Sequence, residues 1–120
     1  MRVIVTGGAG FLGRLLIQGL QEEGVEDIVA VDVAEAEIPG CRMVQGDLAH
    51  DQFLPELLKE DSCTIFHLAS VVSAGAEADW EHAIDQNIGG MLRLLEECRR
   101  SEHLHKVVFA STLAVFGGAT

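Results

Sequence analysis

A glycine-rich turn near the start of the chain constrains the fold more than any other feature. Residues 5–13 read VTGGAGFLG and include four glycines. A short β-branched run, residues 1–6, precedes them, and leucines at helical spacing follow them up to Gly24. This order predicts a strand, a glycine turn and a helix in direct succession. Because glycine lacks a Cβ, such a turn lets the backbone approach a pyrophosphate, toward which the following helix directs its partly positive N-terminus.

The rest of the sequence alternates between apolar β-type runs and helical patterns. Residues 27–33, DIVAVDV, predict a strand of the kind that is buried on both faces in a parallel sheet. Further strands are predicted at residues 41–48, 63–70 and 106–112, and further helices at residues 50–60 and 78–100. Pro55 falls in the first turn of the shorter helix, where its missing N–H costs little. The alternation indicates right-handed βαβ crossovers and a parallel sheet covered by helices on both faces. The longer helix is predicted from the apolar positions Ile84, Ile88, Met91, Leu92 and Leu95.

Composition excludes several classes of protein. The 120 residues are 48% hydrophobic and 22% charged, which favours one globular domain. The net charge of −11 repels phosphate backbones, so neither nucleic acid nor an anionic membrane is an expected partner. No apolar run reaches the roughly 20 residues of a membrane span, and the N-terminal residues lack a secretory pattern, so we expect a cytoplasmic protein.

Cysteines and histidines show neither a disulfide framework nor a metal centre. Cys41, Cys63 and Cys98 are odd in number and contain no Cys-x-x-Cys pair, which favours reduced, buried thiols. The five histidines lack the spacing of zinc ligands, so no metal is expected. His67, within the apolar stretch IFHLA, is interpreted as a satisfied, partly buried histidine rather than as a ligand.

The glycines fit two registers of a nucleotide-binding turn. Gly8-x-Gly10-x-x-Gly13 matches the general dinucleotide fingerprint, and Gly7-x-x-Gly10-x-x-Gly13 shifts the first glycine by one position. Asp32 ends the second predicted strand, where a carboxylate accepts hydrogen bonds from ribose hydroxyls and opposes the 2′-phosphate of NADP. The unit therefore predicts NAD as the cofactor. The alternative for Asp32 is that it only caps a loop.

Further motifs extend this interpretation along the chain. They are GDL at residues 46–48, FHLAS at 66–70, QNIGG at 86–90 and FASTLAVFGG at 109–118. With TGGAGFLG and VDV, they resemble the extended short-chain dehydrogenase/reductases, also called the NAD-dependent epimerase/dehydratase family, over essentially the whole chain. The resemblance implies an α/β fold of the three-layer Rossmann type, in which helices cover both faces of a parallel sheet with strand order 3-2-1-4-5. The 120 residues are expected to end after the fifth strand of this fold. Residues 67–87 and 111–117 are most similar to the branch that oxidises the sugar acid D-erythronate, and sugar-nucleotide epimerases and dehydratases are the alternatives.

The resemblance also implies roles for single residues. Contacts with NAD are expected from Gly7, Gly10, Phe11, Leu12, Gly13, Asp32, Asp47, Leu48, Leu68, Ala69, Ser70, Asn87 and Ser111. Thr112 falls where the family places a Ser or Thr that hydrogen-bonds the reacting substrate oxygen. Ser73 is a candidate substrate contact.

The family's proton transfer depends on a Tyr-x-x-x-Lys helix beyond the fifth strand. The 120 residues contain no tyrosine, and Thr120 is reached before that helix and the substrate region. We therefore expect residues 1–120 to be the NAD-binding part of a dehydrogenase or epimerase/dehydratase that transfers hydride at a secondary alcohol carbon of a sugar acid or sugar nucleotide. Alone they are expected to be inactive. The intact parent is expected to be a homodimer, and a non-catalytic NAD-sensing module is the alternative function.

Overall fold

A single parallel sheet organises the protein. The computed structural model describes residues 1–69 and 79–110. Its strands are β1 (Arg2–Thr6), β2 (Ile28–Asp32), β3 (Arg42–Gln45), β4 (Cys63–His67) and β5 (Lys106–Phe109). They pair in the order β3-β2-β1-β4-β5, and every pairing is parallel. The predicted Rossmann-type strand order is therefore confirmed.

The helices follow the strands as the alternating pattern predicts. They are α1 (Phe11–Glu22), α2 (Leu54–Leu58), α3 (Trp80–Ile84) and α4 (Gly90–Arg100), with a π-helical segment, Asp85–Gly89, joining α3 directly to α4. No helix in residues 1–69 and 79–110 is long and apolar enough to cross a bilayer.

Alternate residues of the strands supply two cores, one on each face of the sheet. On β1, Ile4 faces one core, and Val3 and Val5 face the other. The Ile4 core also receives Leu54 of α2 and Leu94 of α4, whereas the other core receives Ile17 of α1. Because both faces are covered, the strands read as continuous apolar runs. The predicted three layers are confirmed.

Helix α2 is shorter than the predicted residues 50–60. The amide of Asp47 donates to Asp51 Oδ2 at 2.7 Å, and the amides of His50 and Asp51 both donate to the carbonyl of Asp47. These local bonds hold residues 47–51 in a turn that competes with a helix. Pro55 does lie in the first turn of α2, as predicted.

The apolar positions that predict the long helix do not form its buried face. Ala83, Gly90 and Leu94 are the buried residues, whereas Ile84, Ile88, Leu92 and Leu95 are between 39% and 58% exposed. The helix is continuous from Trp80 to Arg100, although the sequence did not indicate its π-helical segment. Of the predicted residues 78–100, residue 78 lies outside the described residues, and Asp79 is the N-cap.

The prediction of buried cysteines is right in full only for Cys63. Cys63 is 2% exposed, and Cys41 and Cys98 are half-buried. All three are free thiols, and burial raises the pKa of each above its ordinary value. A raised pKa keeps these thiols protonated and unreactive at neutral pH.

Candidate cofactor site

An open cleft of about 410 Å³ lies where β1, β2 and β4 end. The carboxyl ends of parallel strands are the usual place for ligands in such sheets. The predicted cofactor residues that line it are Gly7, Gly10, Asp32, Asp47, Leu48, Leu68 and Ala69. Two residues that were not predicted as site residues, His82 and Gln86, line the side formed by α3 and the π-helical segment.

The glycine turn occupies one end of the cleft and fits the Gly7-x-x-Gly10-x-x-Gly13 register. Gly7 has a φ of +72°, and a Cβ there would lie 2.9 Å from the amide nitrogen of Ala69. A Cβ on Gly13 would collide with the Gly7 carbonyl oxygen and lie 2.7 Å from the Gly8 Cα. Gly7 and Gly10 face the cleft, and Gly13 lets the start of α1 pack against the turn.

Asp32 both lines the cleft and holds the loops around it. Its Oδ2 accepts a hydrogen bond from the amide of Ala9 at 3.0 Å, and its Oδ1 accepts one from the amide of Ala34 at 3.0 Å. The capping alternative therefore describes part of its role. Each carboxylate oxygen still has a lone pair for a further donor, so capping and ribose binding are compatible.

Asp47 and Gln86 join opposite sides of the cleft. Gln86 Nε2 donates to Asp47 Oδ2 at 2.9 Å, and the amide of Ala49 donates to Asp47 Oδ1. Burial alone would raise the pKa of Asp47, but these hydrogen bonds, together with the nearby His50 and His82, outweigh it, so the pKa is lowered. Asp47 is therefore a carboxylate at neutral pH, with oxygens that accept from amino groups.

A second contact across the same gap lies nearer to solvent. His50 Nε2 and Asp85 Oδ2 are 2.6 Å apart, and both side chains are about half exposed. The hydrogen bond and the negative charge of Asp85 raise the pKa of His50. The turn after β3 is thus connected to the π-helical segment by two pairs of side chains, at residues 47/86 and 50/85.

A smaller cavity of about 190 Å³ adjoins the cleft at the ends of β4 and β5. Leu68 and Ala69 line both spaces, whereas His67, Asn87 and Phe109 line only the smaller one. Asn87, predicted as a cofactor contact, therefore lies beside the cleft rather than in it. His67 is buried and hydrogen-bonded, which confirms the interpretation of this histidine.

Two further predicted cofactor contacts lie in the first turn of α1. The side chains of Phe11 and Leu12 are exposed in the first turn of α1, and neither lines the cleft. The predicted residues Ser70, Ser73, Ser111 and Thr112 lie outside the described residues. Within residues 1–69 and 79–110, no three His, Cys, Asp or Glu side chains are grouped to hold a metal ion.

A nucleotide-binding turn at the carboxyl end of a parallel sheet defines a dinucleotide-binding α/β protein. The chain belongs to the NAD dependent epimerase/dehydratase family, whose model matches residues 3–120. The family prediction is thus confirmed, and with it NAD as the cofactor of the family.

Two kinds of curated relative match almost all of the chain. D-erythronate dehydrogenases from Cupriavidus necator and Haemophilus influenzae are 36% and 34% identical, each over 98% of this chain and 40% of the relative. A UDP-glucose 4-epimerase from Streptococcus mutans is 35% identical over 98% of this chain and 37% of the relative.

Solved structures support the same family. The structure of MoeE5 in complex with UDP-glucuronic acid and NAD is 34% identical, with a TM-score of 0.85 over 100% of this chain and 40% of that chain. The present chain therefore spans about 40% of the length of the relatives it matches.

Proposed function

We propose that the chain is the NAD-binding part of an oxidoreductase or epimerase that acts on a sugar acid or a sugar nucleotide. The observation that carries this proposal is the cleft, in which the glycine turn and the carboxylate of Asp32 lie together at the ends of β1 and β2. The relatives named dehydrogenase and epimerase support the two substrate classes.

Different residues of the cleft fit different parts of NAD. The turn at Gly7 and Gly10, with the N-terminus of α1, would hold the pyrophosphate. Asp32 would accept hydrogen bonds from the adenosine ribose, and Asp47 would accept one from the adenine amino group. NAD supplies hydride acceptance and donation when it is bound. Thr112 remains the proposed group that polarises the substrate oxygen.

Removing the charge of Asp32 tests the cofactor assignment. Wild-type protein is expected to bind NAD more tightly than NADP, because the carboxylate attracts ribose hydroxyls and repels a 2′-phosphate. In Asp32→Asn the NAD preference should fall about tenfold, since a hydrogen bond to a charged group is worth about 1.5–3 kcal/mol. Isothermal titration calorimetry with both nucleotides measures this preference.

A nearby acidic residue supplies the control. Glu35 is exposed in the loop after β2, so Glu35→Gln removes the same charge without touching the cleft and should leave the preference unchanged. Equal affinity of wild-type protein for NAD and NADP would contradict the role of Asp32. Absence of NAD binding would contradict the proposed function itself.

The exposed apolar row on the long helix supports the proposed homodimer of the intact parent. Ile84, Ile88, Leu92 and Leu95 recur at helical spacing and remain exposed in the single chain. We expect the intact parent to elute as a dimer and its Leu92→Glu variant as a monomer, because a buried charge opposes association. Light scattering after size exclusion measures the mass. Gln18→Glu, which adds the same charge to an exposed position of α1, should remain dimeric, and an unchanged mass for Leu92→Glu would contradict this interface.

A further inference from the structure

The hydroxyl of Thr6 lies at the centre of a buried hydrogen-bond network between the ends of β1 and β4. Thr6 is fully buried. Its Oγ1 lies 3.0 Å from the amide nitrogen of Leu68, 3.1 Å from that of Ala69 and 2.8 Å from Nδ1 of His67. One hydroxyl therefore makes all three contacts.

The positions of the protons in this network follow from the groups that can only donate a hydrogen bond. A hydroxyl has one proton and two lone pairs. The amides of Leu68 and Ala69 can only donate, so they use both lone pairs of Thr6 Oγ1. The hydroxyl proton is then left for His67 Nδ1, which must be an acceptor. His67 is therefore neutral, and its own ring proton is on Nε2.

The same hydroxyl holds a wall of the cleft in place. Leu68 and Ala69 line both the cleft and the smaller cavity. Their backbone passes so close to Gly7 that a Cβ on Gly7 would lie 2.9 Å from the Ala69 amide nitrogen. The amide of Leu68 has a second acceptor in the carbonyl of Thr6 at 3.1 Å, whereas Thr6 Oγ1 is the acceptor described for the amide of Ala69. The position of Ala69 thus depends on the Thr6 hydroxyl.

We infer that Thr6 and His67 are a positioning pair that shapes the cleft for NAD, and that the cleft has its binding form only while His67 is neutral. This inference rests on the proposed function, because NAD is the ligand whose binding reports the shape of the cleft. Protonation would put a donor on Nδ1 opposite an oxygen whose lone pairs are both in use. One of the three hydrogen bonds must then break and the hydroxyl proton loses its acceptor, so the contacts that hold the wall at Leu68 and Ala69 weaken, although the amide of Leu68 keeps the carbonyl of Thr6.

The surroundings of His67 favour the neutral ring. The described groups that face it are Thr6 of β1, Phe109 of β5, and Asn87 and Met91 of the long helix, and none of these titrates. The titratable groups that line the adjoining cleft are Asp32, Asp47 and His82. Burial lowers the pKa of His67 below its ordinary 6.5. The neutral form therefore predominates at neutral pH, and the network is lost as the pH falls through this lowered pKa.

Two measurements test the inference. The first is the nitrogen NMR spectrum of histidine-labelled protein at neutral pH, which should show Nδ1 of His67 unprotonated and Nε2 protonated. The second is the NAD dissociation constant between about pH 7.5 and about pH 5, with circular dichroism to verify that the protein stays folded. The constant should rise about tenfold, which corresponds to the loss of one hydrogen bond.

Variants separate positioning from a purely structural role. His67→Asn places an acceptor oxygen near the position of Nδ1 but does not titrate, so it should bind NAD within a few-fold of wild type and lose the pH dependence. Thr6→Ser keeps the hydroxyl and should retain both affinity and pH dependence. Thr6→Val removes the hydroxyl at nearly constant volume and should weaken NAD binding about tenfold at all pH values. If Thr6→Val fails to fold, the comparison of His67→Asn with wild type still decides the matter.

The other histidine of the cleft supplies the control. His82→Gln should retain the pH dependence, and its disappearance in that variant would overturn the inference by making His82 the titrating group. A proton on Nδ1 of His67 at neutral pH, or an unchanged pH profile in His67→Asn, would also overturn it. Absence of NAD binding at pH 7.5 overturns the proposed function, and the link to NAD with it. The NMR spectrum tests the hydrogen-bond network separately.

Discussion

Gly13→Ala is expected to destabilise the protein by about 3 kcal/mol and to abolish NAD binding. A Cβ on Gly13 would meet the carbonyl oxygen of Gly7 and the backbone of Gly8, and backbone atoms cannot turn away as a flexible side chain can. The start of α1 would have to move off the glycine turn. Urea denaturation followed by circular dichroism measures the free energy of unfolding, and calorimetry measures NAD binding.

Gly19 offers a matched control in the same helix. A Cβ there meets nothing within 4 Å, and alanine is a better helix former than glycine. Gly19→Ala should therefore increase the free energy of unfolding by up to about 1 kcal/mol and leave NAD binding intact. A Gly13→Ala variant as stable as wild type would show that the turn and α1 pack less closely than described.

Leu94→Ala is expected to cost about 2–5 kcal/mol of stability, because it removes a fully buried side chain from the larger core. Leu94 attaches α4 to the sheet in the same cluster as Ile65 of β4 and Leu48 of the cleft. The loss should therefore also weaken NAD binding, which calorimetry on the folded variant measures. Thermal and urea denaturation measure the stability.

An exposed leucine supplies the comparison for this core substitution. Leu104 is 89% exposed, so Leu104→Ala should change the free energy of unfolding by no more than about 0.5 kcal/mol. Similar losses for Leu94→Ala and Leu104→Ala would contradict the assignment of Leu94 to the core.

The sheet could be predicted from the sequence because its strands are buried on both faces. Nearly continuous apolar runs such as residues 28–31 are typical of such strands, and the glycine turn fixes how the first strand meets the first helix. The strand order came from the family resemblance. The strand ends were predicted up to three residues too long, since apolar residues such as Leu48 continue past the last pairing and fill the core from a turn.

The helices and the cleft were less predictable, for physical reasons. Helical periodicity identifies an apolar face but does not say whether that face meets the core, and Ile84 and Leu92 remain exposed. Gln86 and His82 line the cleft together with residues from the ends of β1, β2 and β4, a long-range arrangement without a local sequence signal. The network at Thr6 was hidden too, since it pairs residues 61 positions apart.

The π-helical segment decides which deletions the long helix can accept. Successive residues of an α-helix are about 100° apart around its axis, so deleting one residue from an α-helical turn rotates the two flanking parts by about that angle. A π-helical turn holds about one residue more than an α-helical turn. Deleting one residue from Asp85–Gly89 would therefore convert the wide turn to an ordinary one and keep His82 on the side of the helix that lines the cleft. A deletion in α4 ahead of Leu94 has no such extra residue to remove and would turn His82 away from the cleft.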